Sequence, residues 1–468
     1  MAIELSTITF TEQDDIVPAS GVEEIFNTGI TNTLGGNDII TGENTYFIPE
    51  GSIPVNSGIR TYGGILDTGN GNDTITGIYG ELKGDSGAGF GIYIRESTVD
   101  TGDGDDIITG TSISFGQGIQ SYISIIKTGD GNDIITGIVQ GGDGDGIRSA
   151  DTTIDTGKGN DIINGTARWG ISFEFDSIVT TGDGNDTITG TSIGNMVNPG
   201  VGLSNLEFMD TGDDDDIITG TSAYGYGISN QGNMATGNGN DTITGIGDLN
   251  YSGLHNSIFG SIDTQDGNDS IISKGKFYNY GNVFLGDGND SIATDTGFPN
   301  LALENFRFIG TGDGNDIITS TGFIYNEGVI ETGKGDDSII VDGGTEDITG
   351  TTYGIKNKGG AINMGDGNDS IIANEGFESA PNSSGAWFLG EGEDYIKGYG
   401  SGDFYGGSGN DTLELTPGTY TVGIWDRVVL AKGNSNSLML ASEFEQLIAG
   451  GQTYDFSSLT AGQIIVVA

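Results

Sequence analysis

One short pattern recurs fifteen times along the chain. A glycine-rich turn closes on aspartate, and two residues later comes Ile or Leu. The closing residues are Asp38, Asp73, Asp106, Asp133, Asp161, Asp186, Asp216, Asp241, Asp269, Asp290, Asp316, Asp337, Asp369, Asp394 and Asp411. Successive copies stand 17 to 35 residues apart. Self-similarity at that period marks a solenoid, because one such coil has too little apolar surface to fold alone and must stack on its neighbours.

A single repeat shows how a coil is made. Thr236 to Asp241 forms the turn, where glycine permits positive φ and close approach of backbones. Thr242-Ile243-Thr244 reads as a short strand with Ile243 inward and both Thr outward. Gly253 to Asn256 makes a second strand and bend, and Ser261-Ile262-Asp263 leads into the next turn. About three short strands per coil predict an all-β fold: a right-handed parallel β-helix, or β-solenoid, of about 14–15 coils with one such turn in each.

The position two after each Asp is an aliphatic in every copy, from Ile40 to Leu413, so stacked coils would form one apolar column. Each side chain contributes about 1.5–3 kcal/mol when buried. A second column is expected at the bend, where Asn205, Asn230, Asn256, Asn279, Asn305, Asn326 and Asn357 share one register. Stacked amides there would hydrogen-bond from coil to coil.

Composition removes several function classes. With 67 acidic and 16 basic residues the net charge is −51, which argues against a nucleic-acid partner. The absence of Cys and a single His (His255) rule out thiolate and His-based zinc sites. His255, beside Asn256 in the bend, is expected to be structural. No apolar run approaches the ~18 residues of a membrane helix, so no integral membrane segment is expected.

If the coils stack in register, closing Asp residues lie about 4.8 Å apart. Two such charges repel by about 3 kcal/mol at an effective dielectric of 20. Either their pKa values rise or hard cations sit between them. Turn carbonyls add oxygen ligands, and a flexible oxygen cage suits Ca²⁺ better than Mg²⁺. The mid-turn acids Asp103, Asp130, Asp183, Asp213, Asp266, Asp287, Asp313 and Asp366 are read as solvated charge rather than ligands.

These turns resemble the repeats-in-toxin (RTX, hemolysin-type) calcium-binding nonapeptide, Gly-Gly-x-Gly-x-Asp-x-aliphatic-x. Gly406 to Glu414 matches it at every position, and the resemblance covers about residues 34–411. It implies several calcium ions held between neighbouring coils by the fifteen closing Asp residues and by turn carbonyls. The chain departs from the family in carrying one motif per longer coil rather than two in about eighteen residues, so calcium is expected on one edge. Leu34, Asp214 and Gln265 stand where glycine is usual.

Residues 1–33 and 412–468 are expected to cap a solenoid spanning 34–411. In the C-terminal part, 419–425 and 427–430 alternate like a hairpin. This part also resembles the uncleaved export region of RTX proteins that leave through type I secretion machinery. That matches an N-terminus with neither a basic head nor an apolar run, and it implies an extracellular or cell-surface location. The expected function is a non-catalytic, calcium-stabilised structural protein. Surface adhesion or self-assembly through outward Thr and Ile, with a cell-surface or polysaccharide partner, is the alternative. A polysaccharide-modifying enzyme is disfavoured because the six Arg residues occupy unrelated coil positions. Ice binding ranks below all of these.

Overall fold

The computed structural model describes residues 2–18, 24–44, 56–80, 89–113, 115–141, 143–248, 251–296, 301–346, 352–379, 385–433 and 437–468. The chain forms two compact units, Met1–Leu254 and His255–Ala468. Each is a parallel β-helix in which most coils contribute a strand after the turn, a strand leading into the bend, and a return strand; in Gly116–Lys127 and Asp145–Asp155 the last two are one continuous strand.

In the first unit, the turn strand Ile107–Ser112 pairs in parallel with Thr74–Tyr79 on one side and Ile134–Val139 on the other. The register stacks Ile75, Ile108 and Ile135 directly, and all three are buried. The same stacking holds from Val17 and Ile40 through to Ile243. A one-residue slip would expose this whole column, so burial fixes the register. Two residues further along, glycines face each other across the coil interior. A Cβ built on Gly110 would lie 2.2 Å from the Gly118 carbonyl oxygen, and one on Gly137 2.0 Å from that of Gly146. These pairs let the two walls of each coil touch through backbone alone.

The second unit keeps the aliphatic column, with Ile292 paired to Ile271 and Ile318, and Leu413 to Ile396 and Leu447. It replaces the glycine of the wall contact by buried Ser273, Thr294, Ser320, Val341 and Ala373. After the last turn antiparallel pairs join the parallel stack, which continues through Leu438–Ser442 and Gln446–Ala449. Gly418–Ile424 forms the expected hairpin with Val428–Lys432 and also pairs with Ile464–Val467.

The Asn bend is present as a ladder. Asn279 Nδ2 donates to Asn305 Oδ1 at 2.9 Å and to the Phe308 carbonyl at 2.9 Å. Asn305 repeats this towards Asn326 and Val329. Asn205 does the same towards Asn230 in the first unit. Earlier corners use another device that the Asn pattern did not reveal: a single residue at positive φ, namely Gly63, Glu96, Ile123, Asp151 and Asp176.

The Arg residues are placed differently from the expectation. Arg60 and Arg148 fall in one register column, Phe26-Arg60-Tyr93-Gln120-Arg148, and Arg95 stands in the next, between Tyr62 and Tyr122. Irregular loop lengths between turns hid this register from residue counting.

Candidate metal centre

Every turn carries the same backbone. In the Asp106 coil, Gly102 and Gly104 take φ of 84° and 144°. A Cβ on Gly104 would lie 1.9 Å from the Gly71 oxygen of the coil below, so only glycine allows this stacking. Leu34, Asp214 and Gln265 hold the same left-handed backbone at φ of 82°, 87° and 58°. The turn geometry therefore survives the three substitutions.

All fifteen closing Asp side chains are buried. They form a one-way ladder: the amide of Asp73 donates to Asp106 Oδ1 at 2.7 Å, Asp106 to Asp133 at 2.8 Å, and Asp133 to Asp161 at 2.8 Å. In the second unit the ladder runs from Asp269 through Asp290, Asp316, Asp337, Asp369 and Asp394 to Asp411. Both ends extend past the motif. The amide of Asp15 donates to Asp38 at 2.7 Å, and that of Asp411 to Glu445 Oε2 at 2.8 Å. The available signals were Asp14-Asp15-Ile16-Val17 and Glu445-Gln446-Leu447, each an acid with an aliphatic two residues on.

The second carboxylate oxygen is the informative atom. In thirteen of the fifteen Asp residues, from Asp38 to Asp216 and from Asp290 to Asp411, Oδ2 is buried and has no hydrogen-bond partner. Thr68 lies beside Asp73 and eases its charge, but its one hydroxyl proton is given to the Thr101 carbonyl oxygen at 3.3 Å. An ionised oxygen in such a place is costly to leave unmatched. Burial accordingly raises these thirteen carboxyls above the usual range, with repulsion between neighbouring acids adding to it. Asp106, Asp216 and Asp290 reach about 8, Asp161 and Asp369 about 7, and Asp73, Asp186, Asp337 and Asp394 about 6.

Outside this buried ladder runs an exposed one in the opposite sense. The Asn132 amide donates to Asp105 Oδ1 at 2.9 Å, and the Asn160 amide to Asn132 Oδ1 at 2.9 Å. Amide donation from Asn132 lowers the pKa of Asp105. The mid-turn acids from Asp103 to Asp366 are all exposed. Lysines in that column pair with two of them: Lys158 with Asp183 at 3.2 Å, and Lys334 with Asp313 at 2.5 Å.

These donors fit a hard cation. Mid-turn carbonyls are taken, as when Gly104 N–H donates to the Asp130 oxygen at 2.8 Å. The Gly71 and Gly104 carbonyls accept no bond among the described residues. Bare carboxylate and glycine oxygens beside one turn make the all-oxygen set that Ca²⁺ takes. Among the described residues no point gathers three acidic side chains. A cation would thus rely on carbonyls as well as on the Asp residues of adjacent coils.

Elsewhere, His255 stands among the rings of Tyr278 and Tyr280, 6.3 and 6.0 Å away, and burial lowers its pKa. Among the described residues no helix is long and apolar enough to cross a membrane.

No family model matches the chain, and no curated protein does. Among solved structures it is similar to a hyperactive, Ca²⁺-dependent, β-helical antifreeze protein from an Antarctic bacterium. Identity is 20%, the TM-score is 0.38, and the match covers 78% of this chain and 84% of that one. At this level of likeness the function has to be read from the chain's own residues.

Proposed function

We propose that the chain is a non-catalytic calcium-binding repeat protein of RTX character, which folds outside the cell as calcium fills its turns. The observation that carries this reading is the run of thirteen buried, partnerless Oδ2 atoms, from Asp38 to Asp216 and from Asp290 to Asp411, beside unbonded glycine carbonyls. Asp38, Asp73, Asp106, Asp133, Asp161, Asp186, Asp216, Asp241, Asp269, Asp290, Asp316, Asp337, Asp369, Asp394 and Asp411 would hold the ions, with the glycine carbonyls of their turns. Calcium supplies the positive charge that lets these carboxylates stay ionised inside the fold.

Binding to the native state alone stabilises it by about 1.4 kcal/mol per site at ten times Kd. Over many turns that is enough to make folding conditional on calcium. Circular dichroism with and without chelator at pH 8 tests this. β-Structure gained on adding calcium is expected; equal β-content in both conditions defeats the proposal.

A second reading, adhesion or self-assembly, is favoured by the outer face of the turn strands in the first unit. At the first, third and fifth positions after Asp38 to Asp241 every residue is Thr or Ile except Glu43 and Asn164, all in register. On a chain of net charge −51 this surface carries a single charge, Glu43, and is of the kind that marks contact with another body. Sedimentation in calcium separates the two: concentration-dependent association supports assembly, and a strict monomer opposes it.

A further inference from the structure

The four arginines of the first unit emerge on one wall, the outer side of the bend strands. Each lies against an aromatic ring or an acid. Arg60 sits 5.8 Å from the Phe26 ring, and Arg95 lies between Tyr62 and Tyr122 at 5.7 and 5.5 Å. Arg168 sits 5.9 Å from the Trp169 ring. The charges are matched locally: Arg95 with Glu96 at 3.2 Å, Arg148 with Glu174 at 2.8 Å, and Arg168 with Asp143 at 2.8 Å. The wall is therefore rich in rings, donors and acceptors while carrying little net charge of its own.

It leads into an open cavity of about 250 Å³ lined by Gly144, Asp145, Arg148, Arg168, Trp169 and Glu174. The parallel pairing of Asp145 with Trp169, and of Arg148 with Ser172, brings these residues together from adjacent coils. Glu174 Oε2 receives both Arg148 Nε and Nη2, at 3.1 and 2.8 Å. Glu174 Oε1 and Arg148 Nη1 make no hydrogen bond among the described residues. Asp145 is more than nine-tenths buried and is held by the Ser172 hydroxyl at 2.7 Å and more loosely by Gln117.

A fixed acceptor beside a fixed donor is what a sugar hydroxyl needs, since each hydroxyl both donates and accepts. The exposed Trp169 ring offers an apolar side for the C–H face of a pyranose. An acidic chain would meet three carboxylates here, in a molecule already strongly negative. The coil spacing of about 4.8 Å is close to the length of one pyranose unit in an extended glycan.

We propose that this wall binds a neutral polysaccharide, laid across successive coils with one pyranose unit seated between Arg148, Trp169 and Glu174. The proposal stands on the first unit's own side chains, and calcium enters it only as a condition of folding.

The test is affinity electrophoresis of the full chain in calcium, in gels carrying galactomannan, xyloglucan or dextran, with hyaluronate as the acidic control. Circular dichroism confirms that each variant is folded. Retardation by at least one neutral glycan is expected. It should weaken about ten-fold in Trp169→Ala, the scale of one aromatic contact, and fall likewise in Arg148→Gln. Thr319→Ala, on a turn strand of the second unit, should leave it unchanged. Folded protein that no neutral glycan retards, that hyaluronate retards more strongly, or whose retardation survives both substitutions would overturn the proposal. A chain that needs no calcium to fold but still binds glycan would defeat the calcium reading and leave this one standing.

Discussion

Replacing Asp161 by Asn should have opposite effects with and without calcium. Asn keeps the Oδ1 that accepts the Asp133 amide at 2.8 Å and exchanges the bare Oδ2 for an NH₂ group. The Gly131 and Gly159 carbonyls, which accept no bond among the described residues, are available to that group. Burial holds the Asp161 carboxyl up to about 7. Its usual value is about 3.9, so at pH 8 in chelator its ionised form costs the fold about 4 kcal/mol before solvent screening and about 2–4 kcal/mol after it. Asp161→Asn should recover that amount.

In calcium the same change removes a ligand from the spaces on both sides of the coil. At a hundred times Kd each site contributes about 2.7 kcal/mol. Losing two costs about 5.4 kcal/mol, against the 2–4 regained, so the variant should be about 1–3 kcal/mol less stable than the parent. Urea unfolding followed by circular dichroism reads the global effect, and hydrogen exchange at the Asp133 amide reads it locally. A shift of the same sign in both conditions would show that no cation serves these carboxylates.

Other outcomes follow from the same geometry. In chelator, stability should fall as pH rises from about 5 to about 8. Nine buried Asp carboxyls hold protons up to about 6–8 in the fold and lose them near 3.9 when unfolded, so the native state binds more protons across that window. Denaturation midpoints that stay flat or rise with pH would contradict this. Asn305→Ala breaks both the bond received from Asn279 and those given to Asn326 and Val329, leaving buried groups unmatched. A loss of about 2–4 kcal/mol in urea unfolding is expected, and less than about 0.5 would argue against the ladder. Gly104→Ala, at φ 144° with its Cβ 1.9 Å from the Gly71 oxygen, should destabilise by more than about 2 kcal/mol. Unchanged thermal unfolding would mean that the turn stacks more loosely than described.

Much of this protein could be read from its sequence, because a solenoid repeats one local solution and the chain prints that solution fifteen times. The inward aliphatic two after each Asp, the Asn bend and the one-motif coil all depend on contacts between equivalent residues of adjacent coils. Spacing alone reveals such contacts. The ends were harder. Asp15 and Glu445 take the ladder position without the glycines that mark it elsewhere; an acid with an aliphatic two residues on is a weak signal, and parallel pairing of Ile16–Val17 with Ile39–Ile40, and of Leu447 with Leu413, places them.

What tertiary structure alone decided is how each carboxylate divides its two oxygens. The sequence places an acid at every turn; stacking turns it inward, commits Oδ1 to a neighbouring amide and, in thirteen turns, leaves Oδ2 bare. The Arg and aromatic wall has the same origin. Loops of unequal length separate those residues irregularly along the chain, and only the shared strand register brings Arg60, Arg148 and the ring-flanked Arg95 onto one side. Local pattern fixes which way a residue faces within its own coil, whereas its neighbours above and below depend on hydrogen bonds between strands distant in sequence.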